Sequence, residues 1–304
     1  MSFPATLRSR RTLHRLKEKP VEVFLALCTW VSVLTMAAMV VVLVHESMPF
    51  FEHVGIWEFL AGTNWAPLLE PRSFGVLPLI CGTLLVAAGA AIIAIPLGMG
   101  SAVFLSEYAP SWLRSILKPV LEVLAGIPTV VYGYFALTFI TPFLQKLLPA
   151  TQVFNAASGA FAVGIMILPM IASLCDDAFH AVPQPLRNAG YAMGATKFEV
   201  SSRIVVPAAL SGVLASFVLA VSRAIGETMI VAIACGATPR MTLNPLESVQ
   251  TMTGYIVNVS MGDTPHGTVE YQSIFAVGLL LFAITLLMNV VSHYALRRFR
   301  EVYE

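Results

Sequence analysis

Uninterrupted apolar runs recur six times along the chain, at about 21–44, 75–105, 119–148, 156–175, 205–235 and 272–296, each near or above the roughly 20 residues that cross a bilayer as a helix. Polar and charged residues collect between these runs. Alternation at period two is absent, and hydrocarbon offers backbone groups no water, so runs of this length must satisfy their own hydrogen bonds as helices. The pattern predicts an all-α membrane protein with six transmembrane helices. The second, third and fifth runs exceed a straight crossing. Pro96 with Gly98 and Gly100 interrupts the second, and Gly126 with Pro128 the third, so kinks or tilts are expected there.

Orientation follows from the cations, which remain on the cytoplasmic side of a membrane. The segment "RSRRTLHRLKEK" carries six of the 18 Lys and Arg residues. Arg114 and Lys118 follow the second run, Arg187, Lys197 and Arg203 the fourth, and Arg297, Arg298 and Arg300 the last. The opposite loops hold only Arg72, Lys146 and Arg240. Both termini are therefore expected in the cytoplasm. The chain divides into a basic segment 1–20, a first span 21–44, an extracytoplasmic segment 46–74, and a core 75–304 whose loop 176–206 faces the cytoplasm. Trp57 and Trp65 in the outer segment suit the membrane interface.

Composition supports this reading: 57% of residues are hydrophobic, 12% are charged and mean hydropathy is +0.80, outside the range of water-soluble domains. The run behind the basic N-terminus is too long for a signal-peptide core and lacks a small-residue cleavage site. Cys28, Cys81, Cys175 and Cys235 lie far apart within or near apolar runs, as small hydrophobes do, and have no metal or disulfide spacing. No nucleophile elbow, H-E-x-x-H or other metal-ligand spacing occurs, so neither catalytic nor metal residues are assigned. Asp176 and Asp177, adjacent and so on different sides of a helix, read as the solvated end of a span.

The loop between the fourth and fifth runs is ordered by its own residues. Pro185 suits the first turn of a short helix reaching Met193, Gly194 suits the left-handed position that ends it, and Thr196 with Glu199 forms a T-x-x-E capping box that opens a second helix. This second helix is expected to run straight into the fifth span. Such an element, pinned between two spans, fits a docking surface for a cytoplasmic protein better than a nucleic-acid reader.

Arg223 and Glu227 are the only charged residues between Val205 and Cys235. A charge at mid-bilayer costs roughly 2.5 to 3.5 kcal/mol on insertion scales, whereas an i, i+4 pair on an exposed helix returns about 0.2 to 0.5 kcal/mol. Stability alone explains the pair badly. Gly212, Ser216, Arg223 and Glu227 would form one helical stripe, facing either protein or a water-lined path. Ser216, Arg223 and Glu227 are thus candidate path residues, with Arg223 offering permanently charged planar donors to an oxyanion. A cross-link between helices or against a sister membrane subunit is the alternative. Two roles are open to Glu227: to orient Arg223 and weaken its hold on the anion, or to accept a hydrogen bond from a protonated oxygen of that anion. Gly126 and Pro128 mark a hinge or a simple packing kink.

The spacing Ala189, Gly190, three residues, Gly194, nine residues, Ile204, one residue, Val206, Pro207 resembles the coupling loop of ABC importer permeases, with Asn188 where that family usually has Glu. "FLAGTNWAPLLEPRSFGVLPLICGTL", "VLEVLAGIPTVVYGYF" and "SRAIGETM" further resemble PstC-type permeases of phosphate ABC importers. The resemblance implies the type I importer permease fold, localisation in the cell inner membrane, and coupling through Ala189, Gly190, Gly194, Thr196, Glu199, Ile204 and Pro207. It also implies a PstA-type sister permease, two ATP-binding subunits that use ATP and Mg, and an extracytoplasmic phosphate-binding protein. Arg223 and Glu227 take the family's role in phosphate passage. No G-x-x-x-x-G-K-[ST] occurs, so hydrolysis is expected in a partner subunit and no cofactor in this chain. The alternatives are a sister permease, PstA-type or for sulfate or molybdate, and a stand-alone secondary transporter, which would leave the coupling loop unexplained.

Overall fold

A computed structural model describes residues 5–262 and 264–298, with side chains described for 19–262, 264–292 and 294. The first helix, α1 (Ala5–His53), is followed by α2 (Ile56–Ala61), β1 (Trp65–Ala66), β2 (Ser73–Phe74) and α3 (Leu77–Val103). Next come α4 (Ser111–Ala125), α5 (Thr129–Phe135), α6 (Thr141–Leu147), α7 (Ala156–His180), α8 (Gln184–Ala192), α9 (Lys197–Val200) and α10 (Val206–Ala208). The chain closes with α11 (Leu210–Ile225), α12 (Met229–Ala234), α13 (Met252–Ser260) and α14 (Val269–Arg298). Short π-helical turns prolong α3, join α5 to α6 and join α9 to α10.

Four helices are long and apolar enough to cross a membrane, or six when each of two bent pairs counts as one span. The bends are where the structure departs from straight crossings. α4 meets the Thr129–Leu147 segment at 86° across Gly126–Pro128, so the third apolar run is a corner and not one tilted helix. Pro128 ends one helix and starts the next because it has no N–H to donate. The Leu124 carbonyl at the corner accepts a hydrogen bond from the Tyr132 hydroxyl at 2.8 Å. The fifth run is also discontinuous: Lys197–Ala208 meets α11 at 71°, and α11 stops at Ile225 before α12 begins. The second helix of the loop therefore turns sharply before the span.

α3 and α7 form the central pair, meeting through small residues that let backbones approach. A Cβ on Gly164 would lie 3.2 Å from the Ala90 carbonyl oxygen. α11 packs against both α7 and α3, and α1 leans on α14 with its apolar surface outward. Helix α1 continues past the expected span end to His53, into the segment 46–74. A second core closes the far end of the bundle, where the β1–β2 hairpin, unanticipated from the sequence, lies. Trp65 is 2% exposed there and packs edge-on to Tyr255 at 4.9 Å. It is a core residue, in contrast to the interfacial position expected for it, while Trp57 is fully outside. Edge-to-face contacts among Phe50, Phe59, Phe74 and Trp65 add about 0.5 to 1.5 kcal/mol each beyond burial.

Candidate functional site

Arg223 lies in the last turn of α11, roughly 20 Å of helix rise from Leu210. Gly226 ends the helix, and Glu227 stands in the break before α12. The pair therefore does not share one continuous helix, although Arg223 Nη1 still donates to Glu227 Oε2 at 2.7 Å. The break divides the two environments. Arg223's side chain is 46% exposed and Glu227's only 2%. Glu227 Oε1 accepts from the Ile230 N–H at the start of α12, and its backbone carbonyl accepts from the Thr253 hydroxyl of α13 at 2.6 Å. Three elements thus hold the glutamate, which in turn holds one end of an exposed guanidinium.

Ser216 does not share that exposed surface. It is 3% exposed, with its hydroxyl donating to the Val213 carbonyl and 2.9 Å from Cys175 Sγ of α7. Gly212 is likewise packed, its Cβ position 2.7 Å from Ala178 Cβ. The lower part of the stripe is the seam between α7 and α11, and only Arg223 opens outward. Of the cysteines, Cys175 and Cys235 are buried, whereas Cys28 lies on the outer surface of α1.

The loop is built as its residues suggest at one end and more tightly than they suggest at the other. Gly194 takes φ +81° after α8, and Thr196 and Glu199 complete both halves of the capping box. Hydrogen bonds from the Thr196 backbone and hydroxyl hold the Glu199 carboxyl below the ordinary carboxylate range. A Cβ on Gly190 would meet Ile204 Cδ1 at 2.5 Å and Val200 Cγ2 at 3.0 Å, so this glycine lets α8 lie directly on the following helix. Pro207 sits in α10 just before the 71° bend. Ala189, Asn188, Met193 and Phe198 remain exposed around this packed centre.

Behind the loop lies a charge network that residue spacing did not reveal. Arg187, buried within α8, donates to Glu107 Oε1 at 3.1 Å and to the Phe179 carbonyl at 2.7 Å. Asp176 is 2% exposed and paired with Arg114 at 3.0 Å and Lys118 at 3.5 Å, both on α4. It is a buried anchor, in contrast to the solvated span end expected of it; Asp177, 62% exposed, fits that description better. Charges at i and i+4 of α4 thereby fix the corner helix to α7, and only the amphipathic pattern of 111–125 hinted at it. At the hairpin end, an open cleft of about 900 Å³ is lined by Trp65, Arg72, Gln250, Tyr255 and Glu270, with Arg72 and Glu270 paired at 2.8 Å. Among the described residues no group of three or more His, Cys, Asp or Glu is placed to hold a metal ion.

Residues 94–301 match the family model of the binding-protein-dependent transport system inner membrane component. The chain is 33% identical over 296 residues to the probable ABC transporter permease protein YqgH of Bacillus subtilis, covering 97% of this chain and 96% of that one. It is 34% identical over 261 residues to the phosphate transport system permease protein PstC of Mesorhizobium japonicum, covering 80% and 79%. A bacterial ABC transporter involved in import of the acidic polysaccharide alginate superposes with a TM-score of 0.63 at 14% identity, over 96% of this chain and all of that one. The fold, the packed Gly190–Ile204 contact within the matched residues and these relatives agree: the chain belongs to the family of binding-protein-dependent transport system inner membrane components.

Proposed function

We propose that this chain is the permease subunit of an ATP-driven importer of inorganic phosphate, with Arg223 as the residue of this chain that meets the anion. Support for phosphate comes from the relatives named PstC over about four fifths of the chain and from the one exposed guanidinium in the fifth apolar run. The observation that carries the reading is the split environment of the pair. A cation kept half-exposed in an apolar span is costly unless a counter-charged solute shares it, and Glu227, buried and bonded on both oxygens, is placed to orient the cation without itself facing the opening. Among the described residues, Nε and Nη2 of Arg223 keep free donors for an oxyanion.

In this reading the chain crosses the inner membrane six times with both ends in the cytoplasm, and the two bent pairs each make one crossing. The exposed face of Arg223 is completed by a PstA-type sister permease. Loop 176–206 receives an ATP-binding subunit, one of two that use ATP and Mg, through its exposed rim of Ala189, Met193 and Phe198. A phosphate-binding protein docks over the hairpin end. Asn188 supplies a neutral contact where an acidic residue is usual, so docking relies more on apolar area.

The test is phosphate uptake by the assembled complex in proteoliposomes. Arg223→Gln should abolish uptake while the complex still co-purifies. Uptake at the level of the unaltered complex would remove Arg223 from the path. Sulfate or molybdate uptake in place of phosphate would favour the sister-permease alternative.

A further inference from the structure

We propose that Asn289 of α14 is a second anion-contacting residue of the same path, giving uncharged donors beside Arg223. The proposal rests on the reading of Arg223 as the path residue. It starts from a polar side chain in an unexpected place. Asn289 interrupts the run Leu286, Leu287, Met288, Val290, Val291 within a helix apolar enough to cross a membrane. A primary amide there forfeits hydration, so a polar partner or polar cargo must compensate. Part of that compensation is visible. The Ser222 hydroxyl of α11 donates to Asn289 Oδ1 at 2.9 Å, which joins α14 to the residue directly before Arg223.

That bond fixes which way the amide faces. With Oδ1 occupied by Ser222, the two N–H groups of Nδ2 are directed away from it, and among the described residues they meet no acceptor. Asn289 is exposed, as Arg223 is, so these donors remain open to a solute. Charge makes them useful. Only Arg223 of the ion pair faces the opening, its charge partly offset by the buried Glu227 behind it, and an oxyanion held there gains from neutral donors that do not trap it. An amide also discriminates in sign: it donates to anion oxygens as a carboxylate of the same shape cannot.

The experiment compares Asn289→Ala, Asn289→Asp, Asn289→Gln and Ser222→Ala in the assembled complex, measuring uptake of inorganic phosphate and co-purification of subunits. Asn289→Asp is the informative variant, because it keeps an acceptor for Ser222 but replaces the donors with a negative charge. Loss of a hydrogen bond to a charged group corresponds to about ten-fold or more in rate. Asn289→Ala and Asn289→Asp should both lower uptake by about that factor or more, Asn289→Gln should retain more than either, and Ser222→Ala, which frees the amide to turn but keeps its donors, should lower uptake less than Asn289→Ala. Asn289→Asp at the unaltered rate would overturn the proposal by showing that the amide merely anchors Ser222. So would Asn289→Ala with unaltered uptake. If Asn289→Ala fails to assemble, the order of Gln over Asp decides. Arg223→Gln separates the two readings: its inactivity beside an active Asn289→Ala sinks only the role of Asn289, whereas its full activity sinks the path itself.

Discussion

Arg187 Nη2 lies 3.1 Å from Glu107 Oε1, joining α8 of the loop to the π-helical turn that prolongs α3, with both side chains under a tenth exposed. The arginine also donates to the carbonyls of Val182 and Phe179, so the last turn of α7 is held by the same group. These contacts tie the loop directly to α3 and α7, the central pair of the bundle.

Glu107→Gln should therefore destabilise the packed loop by about 3 to 5 kcal/mol, because a buried arginine is left with carbonyls but no counter-charge. The change is read as a lower thermal midpoint of the purified complex and as faster amide exchange over 182–192. Removing both charges, as Glu107→Gln with Arg187→Met, should recover part of the loss. A single variant with an unaltered midpoint would mean that water already compensates the arginine.

Gly190 and Ile204 make a contact that double substitution can isolate. A methyl on Gly190 collides with Ile204 Cδ1, so Gly190→Ala should cost about 1 to 3 kcal/mol through overpacking. Ile204→Val removes the colliding methyl and alone should cost about 0.5 to 1.5 kcal/mol. Together they should cost less than their sum, by about 1 kcal/mol, as contacting residues do. Strict additivity in the measured unfolding free energies would place the glycine's importance elsewhere, at the docking surface.

The spans were legible wherever length and apolarity alone decide the outcome, and the capped turn was legible because Gly194, Thr196 and Glu199 act on their own neighbours. A break at Gly126–Pro128 was expected from its residues, but its 86° angle was hidden, as was the corner at Ala209: apolar residues continue through both, and hydropathy does not record direction. Pairing across the bundle was hidden for a related reason. Asp176 finds Arg114 and Lys118 only because α4 folds back at 86°, a consequence of that corner. Arg223 and Glu227 stood out as charges, yet their unequal exposure depends on where α11 stops, which Gly226 alone did not announce.

The capping box gives the loop a pH dependence of definite sign. The carboxyl of Glu199 is held below its ordinary value of 4.5 by the Thr196 hydrogen bonds. Its contribution is thus fully present above pH 4.5 and fades as the pH falls through the lowered value. Protection factors at residues 196–200, taken relative to intrinsic exchange at each pH, should fall below that range, and Thr196→Ala, which removes the side-chain half of the box, should lower them at neutral pH as well. Equal pH profiles for Thr196→Ala and the unaltered chain would show that the box does not set local stability.

Glu227→Gln tests how the guanidinium is used. The amide keeps the shape and one acceptor but removes the negative charge, so Arg223 would face the anion with its full positive charge. A site that binds more strongly releases more slowly. The variant should therefore bind phosphate at the path more tightly while its maximal uptake rate falls, by about ten-fold if the lost interaction is worth about 1.4 kcal/mol. Raising the phosphate concentration would not restore the rate, since release and not arrival is then limiting. If Glu227 instead accepted a proton-bearing phosphate oxygen, the same substitution would weaken binding, and the half-saturating concentration in proteoliposome uptake would rise. The direction of that single change decides between an orienting glutamate, as its buried position and two engaged oxygens favour, and one that touches the solute.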